Sequence, residues 1–455
     1  MFDKSFSMRV HFIAIGGSAM HNLAIALHKK GYEVTGSDDQ IFEPSRSRLQ
    51  QYGLLPQTEG WDESSISKDI DAVILGMHAR KDNPELLEAQ KMGLKIYSYP
   101  EYVFEQSKNK RRVVIGGSHG KTSITSMILH VLKSFDMKYD YLVGAQLEGY
   151  ETMVSLNDEN DLIILEGDEY LSSPIDLRPK FHWYKANIAV LTGIAWDHIN
   201  VFPTFENYVD QFRVFIESMD SYSKLFYFSD DDNLKKLASN APSEVACEPY
   251  STPEHSFEED QYFINGHPMK VFGEHNLQNL EAARLVLREL GISNEDILSA
   301  MESFTGAAKR LEKIREEESF SVFKDFAHSP SKLKATTKAV KGLHPGRHLV
   351  ACMELHTFSS LNKKFLPQYE HSMDSADEAI VYFNPKTIEH KKLDALSKEE
   401  VKAAFKNESL IVFTDSAKLI KHLRDKSWEN HDLLLMSSGN FDGQSFEELA
   451  ESLKL

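Results

Sequence analysis

The chain has 455 residues, 41% of them hydrophobic, which suits about two to four packed domains. Its 69 acidic and 51 basic residues give a formal charge of −18, which disfavours a broad nucleic-acid surface. Two cysteines are too few for a disulfide framework or a cysteine-rich zinc site. Neither a membrane span nor a signal peptide is indicated. We therefore expect a cytoplasmic protein without nucleic-acid, membrane or obligate protein partners.

The first part of the chain alternates short apolar strands with helical patterns, which is typical of parallel α/β layers. We predict a strand over Val10–Ile15, a glycine bend, a helix over 19–30, and strands over the segments 32–35 and 72–75. The polar, basic segment 107–112 is interpreted as a linker.

The bend after the first strand contains Gly16 and Gly17 and opens a helix, an arrangement that suits a diphosphate. It does not fulfil the dinucleotide fingerprint, because Ala14 and Ala19 fill two of the glycine positions. A Rossmann-like loop that holds a pyrophosphate at the helix N-terminus therefore fits better than a nicotinamide site.

The second part opens with Val113–Leu132, an apolar strand, a glycine-rich bend and an amphipathic helix. The bend ends in Gly120-Lys121-Thr122, as a P-loop does, but it is one residue shorter than the usual motif. In a P-loop, Lys121 would reach the β/γ-phosphates and Thr122 would bind Mg²⁺. On these residues alone, an ordinary strand-to-helix connection stays open.

Two further strands of the second part run into carboxylates. Leu162–Leu165 leads to Glu166-Gly-Asp-Glu169, and Ile188–Leu191 leads to Trp196-Asp-His198. Ligands bind at the carboxyl ends of strands in α/β sheets, and Mg²⁺ prefers oxygen ligands. We therefore expect these strand ends to converge on the P-loop.

The end of the second part carries turn signals. Segment 241–261 is rich in Pro, Ser and Glu and is interpreted as an exposed excursion. Asn265-Gly266 predicts a hairpin between the strands 262–264 and 269–272, and a helix follows over 277–290.

The third part follows Phe304-Thr-Gly306 and again alternates strands with helices. Its predicted strands are 320–323, 348–353, 379–383, 410–413 and 433–436.

Six short motifs follow one another along the chain. They are Gly117-Ser-His-Gly-Lys-Thr122, Glu166-Gly-Asp-Glu169, Asp197-His198, His275-Asn-Leu-Gln-Asn279, Phe304-Thr-Gly-Ala-Ala-Lys-Arg310 and Asp325-Phe-Ala-His-Ser-Pro330. In type and order they resemble the motifs of the Mur ligase family, ADP-forming amide ligases of peptidoglycan assembly and recycling. The shortened P-loop is similar to that family's ATP site.

The resemblance implies an α/β fold with three domains. These are a Rossmann-like UDP-sugar-binding domain (1–109), a central P-loop ATPase domain with a parallel sheet (110–304) and a Rossmann-like C-terminal domain for the amine substrate (305–455). It also implies ATP and Mg²⁺ as cofactors. A carboxylate would attack the γ-phosphate to give an acyl phosphate and ADP, and an amine would then displace phosphate.

The resemblance further implies roles for single residues. Lys121, Glu166, His198 and Arg310 would be catalytic, and Thr122, Glu166 and His198 would bind Mg²⁺. The residues implied for ATP are Gly117, Ser118, His119, Gly120, Lys121, Thr122, Ser123, His275, Asn279, Arg310 and Asp325. Those implied for the other substrates are Gly16, Gly17, Ser18, Asp38, His78, Arg80, His328 and His356. For His78 and Arg80, an exposed βα loop is the alternative.

Two branches of the family take UDP-N-acetylmuramate as the carboxylate substrate. Tyr170 after Glu166-Gly-Asp-Glu169, together with Met436-Ser-Ser-Gly439, resembles murein peptide ligases, which add L-alanyl-γ-D-glutamyl-meso-diaminopimelate. We therefore predict this tripeptide as the amine substrate, with His356, Thr357, Ser359 and Asn362 as candidate contacts. The alternative is L-alanine, although Glu354–Ser360 lacks the arginines of both branches.

Two hypotheses from other classes remain. A nicotinamide oxidoreductase is disfavoured by the missing glycines of the first loop. A regulatory P-loop NTPase is disfavoured by the adenine and hinge motifs outside the P-loop.

Overall fold

The computed structural model describes residues 7–259, 261–307 and 310–454. Ala308 and Lys309 of the predicted hinge motif lie outside the described residues, as does the start of the chain considered for a signal peptide.

The strands of the described residues are β1 (Arg9–Ile13), β2 (Glu33–Ser37), β3 (Ala72–Leu75), β4 (Ile96–Ser98), β5 (Arg111–Gly116), β6 (Asp140–Leu142), β7 (Val154–Ser155), β8 (Leu162–Glu166), β9 (Ile188–Leu191), β10 (Ser223–Phe228), β11 (Val245–Tyr250), β12 (Ser256–Glu258), β13 (Gln261–Ile264), β14 (His267–Met269), β15 (Glu312–Glu317), β16 (Phe320–Asp325), β17 (His348–Leu355), β18 (Glu378–Phe383), β19 (Ile411–Phe413) and β20 (His431–Met436).

The α-helices are α1 (Ser18–Lys29), α2 (Ser45–Gln51), α3 (Pro84–Met92), α4 (Tyr99–Ser107), α5 (Lys121–Ser134), α6 (Phe205–Glu217), α7 (Asp232–Ser239), α8 (Glu274–Glu289), α9 (Asn294–Met301), α10 (Pro330–Leu343), α11 (Pro385–His390), α12 (Lys398–Phe405), α13 (Ser416–Arg424) and α14 (Phe446–Ser452).

The chain divides into two compact units. The first contains the described residues up to Gly117 together with Leu132–Gly193 and Val209–Pro249. The second contains Ser118–Val131, Ile194–Tyr208 and the residues from Tyr250 onward.

The first unit contains two sheets. One has the strand order β2-β1-β3-β4, and all its pairs are parallel. The other has the order β11-β10-β9-β5-β8-β6-β7, in which β5 pairs in parallel with β8 and β9. β11 is an edge strand of this sheet and lies within segment 241–261, so the prediction that this whole segment is an excursion was wrong. The alternation of short apolar strands with helices produced the predicted α/β layers.

The predicted linker 107–112 is a tightly anchored connection. Lys110 is 9% exposed, and its ammonium donates to Asp140 and to the carbonyls of Asn157 and Asn160. Arg112 is 3% exposed and donates to main-chain carbonyls. Buried oxygen atoms surround these two cations and offset the cost of burying their charges. The cations of a solvated linker would not require such partners.

The second unit contains a six-stranded sheet of order β15-β16-β20-β17-β18-β19, parallel from β16 onward. Its central strand β17 buries Ala351 and Met353 in one apolar cluster and Val350 and Cys352 in another. Both faces are therefore covered, which explains why the sequence of this strand is continuously apolar. A separate antiparallel sheet, β12-β13-β14, turns at Asn265-Gly266 as predicted.

Within the residues that the structure describes, there is no helix both long and apolar enough to cross a membrane.

Candidate active site

In the first unit, three strand ends lie side by side at one edge of the seven-stranded sheet. Ile115 of β5 pairs with Glu166, the last residue of β8, and Gly116 pairs with Leu191, the last residue of β9. Gly117 follows with φ +108°, and a Cβ on it would lie 2.3 Å from Thr192 Oγ1. Glycine is therefore required because the bend passes tightly over the neighbouring strand.

Glu166 is held at this edge by a main-chain contact. Its side chain is buried, and Oε2 accepts a hydrogen bond of 2.7 Å from Gly144 N. Asp168 bonds instead to Lys180 Nζ at 2.6 Å and to Tyr170 N at 3.1 Å. Of these two carboxylates, Asp168 stabilises its own turn. Glu166 stays the predicted metal ligand.

In the second unit, Ser118–Thr122 completes the bend and α5 begins at Lys121. Ser118 Oγ accepts from Ala195 N at 2.8 Å and lies 3.1 Å from Tyr208 Oη. Gly120 has φ +69°, and a Cβ there would lie 2.1 Å from Asn279 Oδ1. The bend is thus preorganised, with its helix N-terminus directed toward a site suited to phosphate.

Asn279, predicted near the adenine, lies against Gly120 of the bend, and its Nδ2 is 3.3 Å from Asn276 Oδ1. His275 is half-buried, and desolvation lowers its pKa despite the opposing charges of Asp325 and Glu274. Asp325 Oδ2 accepts from Thr336 Oγ1 at 2.6 Å.

A small cavity of about 20 Å³ lies beside α5 in the second unit. It is lined by Ser123, Met127, Phe272, Asn276, Phe304 and Arg310, among others. The cavity is too small for a purine, but its lining combines apolar walls with a few polar groups, as a purine site does, and the neighbouring glycine bend suits phosphates. The residues present therefore fit ATP. Met127 and Phe272 were missed by sequence reasoning, since apolar side chains carry no distinctive pattern. Asn276 lies within the motif His275–Asn279 but was not given a role of its own.

Arg310 reaches the bend over residues 117–122, which we call the phosphate bend. Its Nη2 lies 3.3 Å from Thr122 Oγ1, and its guanidinium lies 4.6 Å from the centroid of the Phe326 ring. Thr122 is 3% exposed. The predicted phosphate-binding cation and the predicted metal-binding hydroxyl are therefore adjacent.

Asp197 and His198 follow in the same unit. Asp197 Oδ1 accepts from His198 N at 2.7 Å, and His198 adopts φ +56°, a left-handed conformation that is strained for a non-glycine residue. Burial opposes ionisation of Asp197, but at the acidic pH where it titrates the charges of His198, Lys332 and His328 outweigh burial and lower its pKa to about 2.

Two neutral imidazoles lie in this region. Burial, reinforced by Lys332 and Lys121, lowers the pKa of His119 to about 3. Burial, reinforced by Lys332, lowers the pKa of His328 to about 3 as well. His328 Nε2 lies 3.9 Å from Asp197 Oδ2, and its Nδ1 is bonded to the carbonyl of Phe326 at 2.8 Å. Lys332 was missed by the sequence analysis.

The predicted metal ligands lie in both units, Glu166 in the first and Thr122 and His198 in the second. In the described ranges, no group of three His, Cys, Asp or Glu side chains is arranged to hold a metal ion by itself. Mg²⁺ in phosphoryl-transfer sites typically relies on one or two carboxylates together with phosphates and water, so this finding is compatible with the predicted ligands.

In the first unit, Asp38 binds the glycine loop. Its Oδ2 accepts from Gly16 N at 2.7 Å, and a Cβ on Gly16 would lie 2.9 Å from the same oxygen. Burial is the main cause that raises the pKa of Asp38, to about 6. Gly17 is the N-cap of α1, and Ser18 Oγ lies 3.7 Å from Met153 Sδ.

Sequence reasoning missed a buried carboxylate behind this loop. Glu85 is fully buried, and it accepts hydrogen bonds from Ser37 Oγ and, at 2.8 Å, from Asp62 N. His78 and Arg80 are exposed, and Arg80 forms a bidentate pair with Asp82. This pairing favours the loop interpretation of His78 and Arg80.

In the second unit, segment 436–439 lies against segment 354–360. These are the two segments that were predicted to distinguish the amine substrate. A Cβ on Gly439 would lie 2.9 Å from the His356 ring, and buried Glu354 accepts from Phe441 N at 3.0 Å. The His356 side chain is 41% exposed. Ser359 is buried, and the Thr357 hydroxyl bonds to Ser360 within the loop. His356 Nδ1 lies 3.6 Å from Glu354 Oε1, and Asn362 Oδ1 accepts from Lys364 N at 2.9 Å, so both of these candidates already have a partner within the protein.

The chain matches three family models along its length: the Mur ligase family catalytic domain over residues 9–111, the Mur ligase middle domain over 115–287 and the Mur ligase glutamate ligase domain over 309–439. Together they cover most of the chain, so it belongs to the Mur ligase family, whose members are ATP-dependent C–N ligases.

A curated relative is the UDP-N-acetylmuramate–L-alanine ligase of Caldicellulosiruptor bescii, 32% identical over 81% of this chain and 82% of that protein. Among solved structures, the UDP-N-acetylmuramate–alanine ligase of Thermotoga maritima has a TM-score of 0.69 at 21% identity, covering 96% of each chain. A murein peptide ligase of Psychrobacter arcticus has a TM-score of 0.66 at 22% identity, covering 98% of each chain. At these identities the solved structures establish the fold alone.

Proposed function

We propose that this ligase joins the carboxylate of UDP-N-acetylmuramate to the amine of L-alanine while ATP is converted to ADP. The observation that carries the proposal is the 32% identity to an L-alanine ligase over four fifths of both chains. It supports L-alanine above the tripeptide that the sequence analysis placed first.

The geometry supports the phosphoryl-transfer part of this function. Lys121, Arg310 and the N–H groups at the start of α5 would neutralise the phosphates, which must approach an anionic carboxylate. ATP with Mg²⁺ supplies the phosphoryl group that activates this carboxylate. Thr122, Glu166 and His198 stay the predicted Mg²⁺ ligands.

The tripeptide L-alanyl-γ-D-glutamyl-meso-diaminopimelate is the second candidate acceptor. It is favoured by Tyr170 and by Met436-Ser-Ser-Gly439, which resemble peptide ligases, and by the contact of Gly439 with His356. A longer substrate can use remote binding energy to orient its reacting amine. An imidazole at His356 could bind one of its carboxylates.

The test is ADP release with UDP-N-acetylmuramate and either amine. We expect kcat/KM for L-alanine to exceed that for the tripeptide by at least about tenfold, an energy difference of about 1.4 kcal/mol. The opposite preference would reject L-alanine and support the tripeptide. His356→Ala should raise the KM for the amine with little change for ATP, and His371→Ala, at an exposed histidine of the same unit, is the control.

A further inference from the structure

The first turn of α10 carries a cation where helices disfavour one. Lys332 is the third residue of this 14-residue helix, and its first turn has no acidic side chain. The positive end of the helix dipole repels a lysine at this position, so the local sequence opposes helix stability. A residue that opposes the preferences of its own helix in this way often occupies a functional position.

Within the described structure, the hydroxyl of Ser329 at the start of the same helix makes no hydrogen bond. Ser329 is the N-cap of α10, but its side chain makes no capping hydrogen bond. The residue is 5% exposed, and Oγ has no hydrogen-bond partner among the described residues. A buried hydroxyl without a partner is costly, so it indicates a polar group that arrives with a ligand.

The groups around this turn belong to the nucleotide site of the same unit. His328 precedes Ser329, and its Nε2 lies 3.9 Å from Asp197 Oδ2. Arg310 reaches Thr122 of the phosphate bend. Lys332 follows Ser329 by three residues, so the two side chains are neighbours on the same side of the first turn of α10.

We propose that Ser329, Lys332 and the N-terminal turn of α10 bind the terminal phosphoryl group of ATP, with Lys332 as a cation that contacts the transferring oxygens. A helix N-terminus with a lysine and a hydroxyl provides charge and hydrogen-bond donors for an oxyanion. Because charge on the phosphoryl oxygens is redistributed during transfer, the contribution of Lys332 should be largest in the transition state. The inference rests on the ATP-dependent activity of the family and is independent of which amine is used.

The experiment replaces Lys332 by Met and by Arg, with Lys334→Met as the matched control. Lys334 is an exposed lysine of the same helix. Binding of ADP and of β,γ-methylene-ATP is measured by calorimetry, and kcat is measured from ADP release. Since ADP lacks the terminal phosphoryl group, its affinity also reports whether each variant has a folded nucleotide site.

For Lys332→Met we expect kcat to fall about 100-fold and the affinity for β,γ-methylene-ATP to fall about tenfold, with ADP affinity changed by less than about twofold. Lys332→Arg should retain more activity than Lys332→Met, and Lys334→Met should match the wild type. Ser329→Ala should lower kcat several-fold without lowering Tm, because its hydroxyl has no partner to lose.

Several outcomes would overturn the proposal. These are an unchanged kcat in Lys332→Met, an equal loss of ADP and β,γ-methylene-ATP affinity, or a loss confined to the KM for UDP-N-acetylmuramate, which would assign Lys332 to the sugar carboxylate. An unchanged kcat in Ser329→Ala would remove the hydroxyl from the site.

Discussion

Single residues of this chain have conformations set by close contacts at the candidate site. Gly117 and Gly120 have positive φ angles and lie against Thr192 and Asn279, respectively. A Cβ at either position would meet an oxygen atom well inside contact distance. The glycines of the P-loop are therefore required by protein packing as well as by phosphate binding.

Lys121→Ala should reduce ADP formation by at least about 100-fold, because a charge-assisted contact to the phosphates is lost in a closed site. The circular dichroism spectrum and Tm should stay close to those of the wild type. Lys236→Ala, at an exposed lysine of α7, serves as the control. Substantial turnover by a folded Lys121→Ala variant would remove Lys121 from the mechanism.

Gly120→Ala and Gly291→Ala separate backbone strain from steric overlap. Gly291 has φ +93° with nothing within 4 Å of an added Cβ. Its substitution should therefore lower the unfolding free energy by about 1–2 kcal/mol and leave the activity unchanged. Gly120→Ala adds an overlap with Asn279 Oδ1 and should cost more and lower kcat sharply. Chemical denaturation and an ADP assay measure both effects. Equal losses of stability and activity in both variants would contradict this account.

Asp197 should make stability depend on pH at acidic values. Its pKa is about 2 in the folded protein against 3.8 as the ordinary value, so its stabilising contribution is complete above about pH 4 and is lost as pH falls through 2. Asp197→Asn should therefore lower the unfolding free energy at pH 7, by less than about 2 kcal/mol because His328 is uncharged there. The difference from wild type should shrink between about pH 4 and 2. A difference that is constant with pH would refute the assigned ion pairing.

At the scale of elements, α1 is bonded to the segment that precedes β7. Asn22 is fully buried, its Nδ2 donates to Ser18 O at 2.8 Å, and its Oδ1 accepts from Met153 N at 2.8 Å. His21, whose pKa is lowered mainly by burial, lies with Nε2 2.9 Å from Asn22 Nδ2. These bonds join the first Rossmann-like layer to the central sheet within the first unit.

Asn22→Ala should lower the unfolding free energy by about 2 kcal/mol, because it leaves Met153 N–H and His21 Nε2 buried without partners. Asn240→Ala, at an exposed asparagine, should cost less than about 0.5 kcal/mol, since water replaces its bond. Urea denaturation of the two variants gives the comparison. Similar small losses in both would show that the buried network contributes little.

Many elements could be predicted from the sequence, because strands that are buried on both faces have continuous apolar sequences. Segment 348–353 is such a run, and the observed strand extends it only to Leu355. The edge strand β11 was missed, since Glu248 and Pro249 interrupt its apolar pattern. The basic segment 107–112 was misinterpreted because the partners of Lys110 and Arg112 are distant in sequence.

The candidate site was predictable only where a motif carries chemistry. The glycine bend and the residues 166, 197 and 198 follow strands in regular order, so their approximate placement could be predicted. Glu85 lies 48 residues from its partner Ser37, and such a long-range contact leaves no local pattern. Lys332 did leave a signal, a cation in the first turn of a helix, that a search for motifs does not test.

At the scale of the whole molecule, the three family models follow the predicted order of domains. The boundaries at 109 and 304 stay predictions, because the two compact units divide the chain at other places. The chain first changes unit after Gly117 and does so again at later positions. The helix α5 begins in the second unit, whereas the strand before it lies in the first. The chain therefore passes from the first unit to the second after Gly117.

The most direct test of the proposed function is the substrate dependence of ADP release, measured together with amide formation by mass spectrometry. We predict that ADP appears only when UDP-N-acetylmuramate and an amine are both present, in a one-to-one ratio with the amide product, because the acyl phosphate must be consumed by the amine. ADP release that is fast without the sugar nucleotide, or amide formation without ADP, would contradict the assignment.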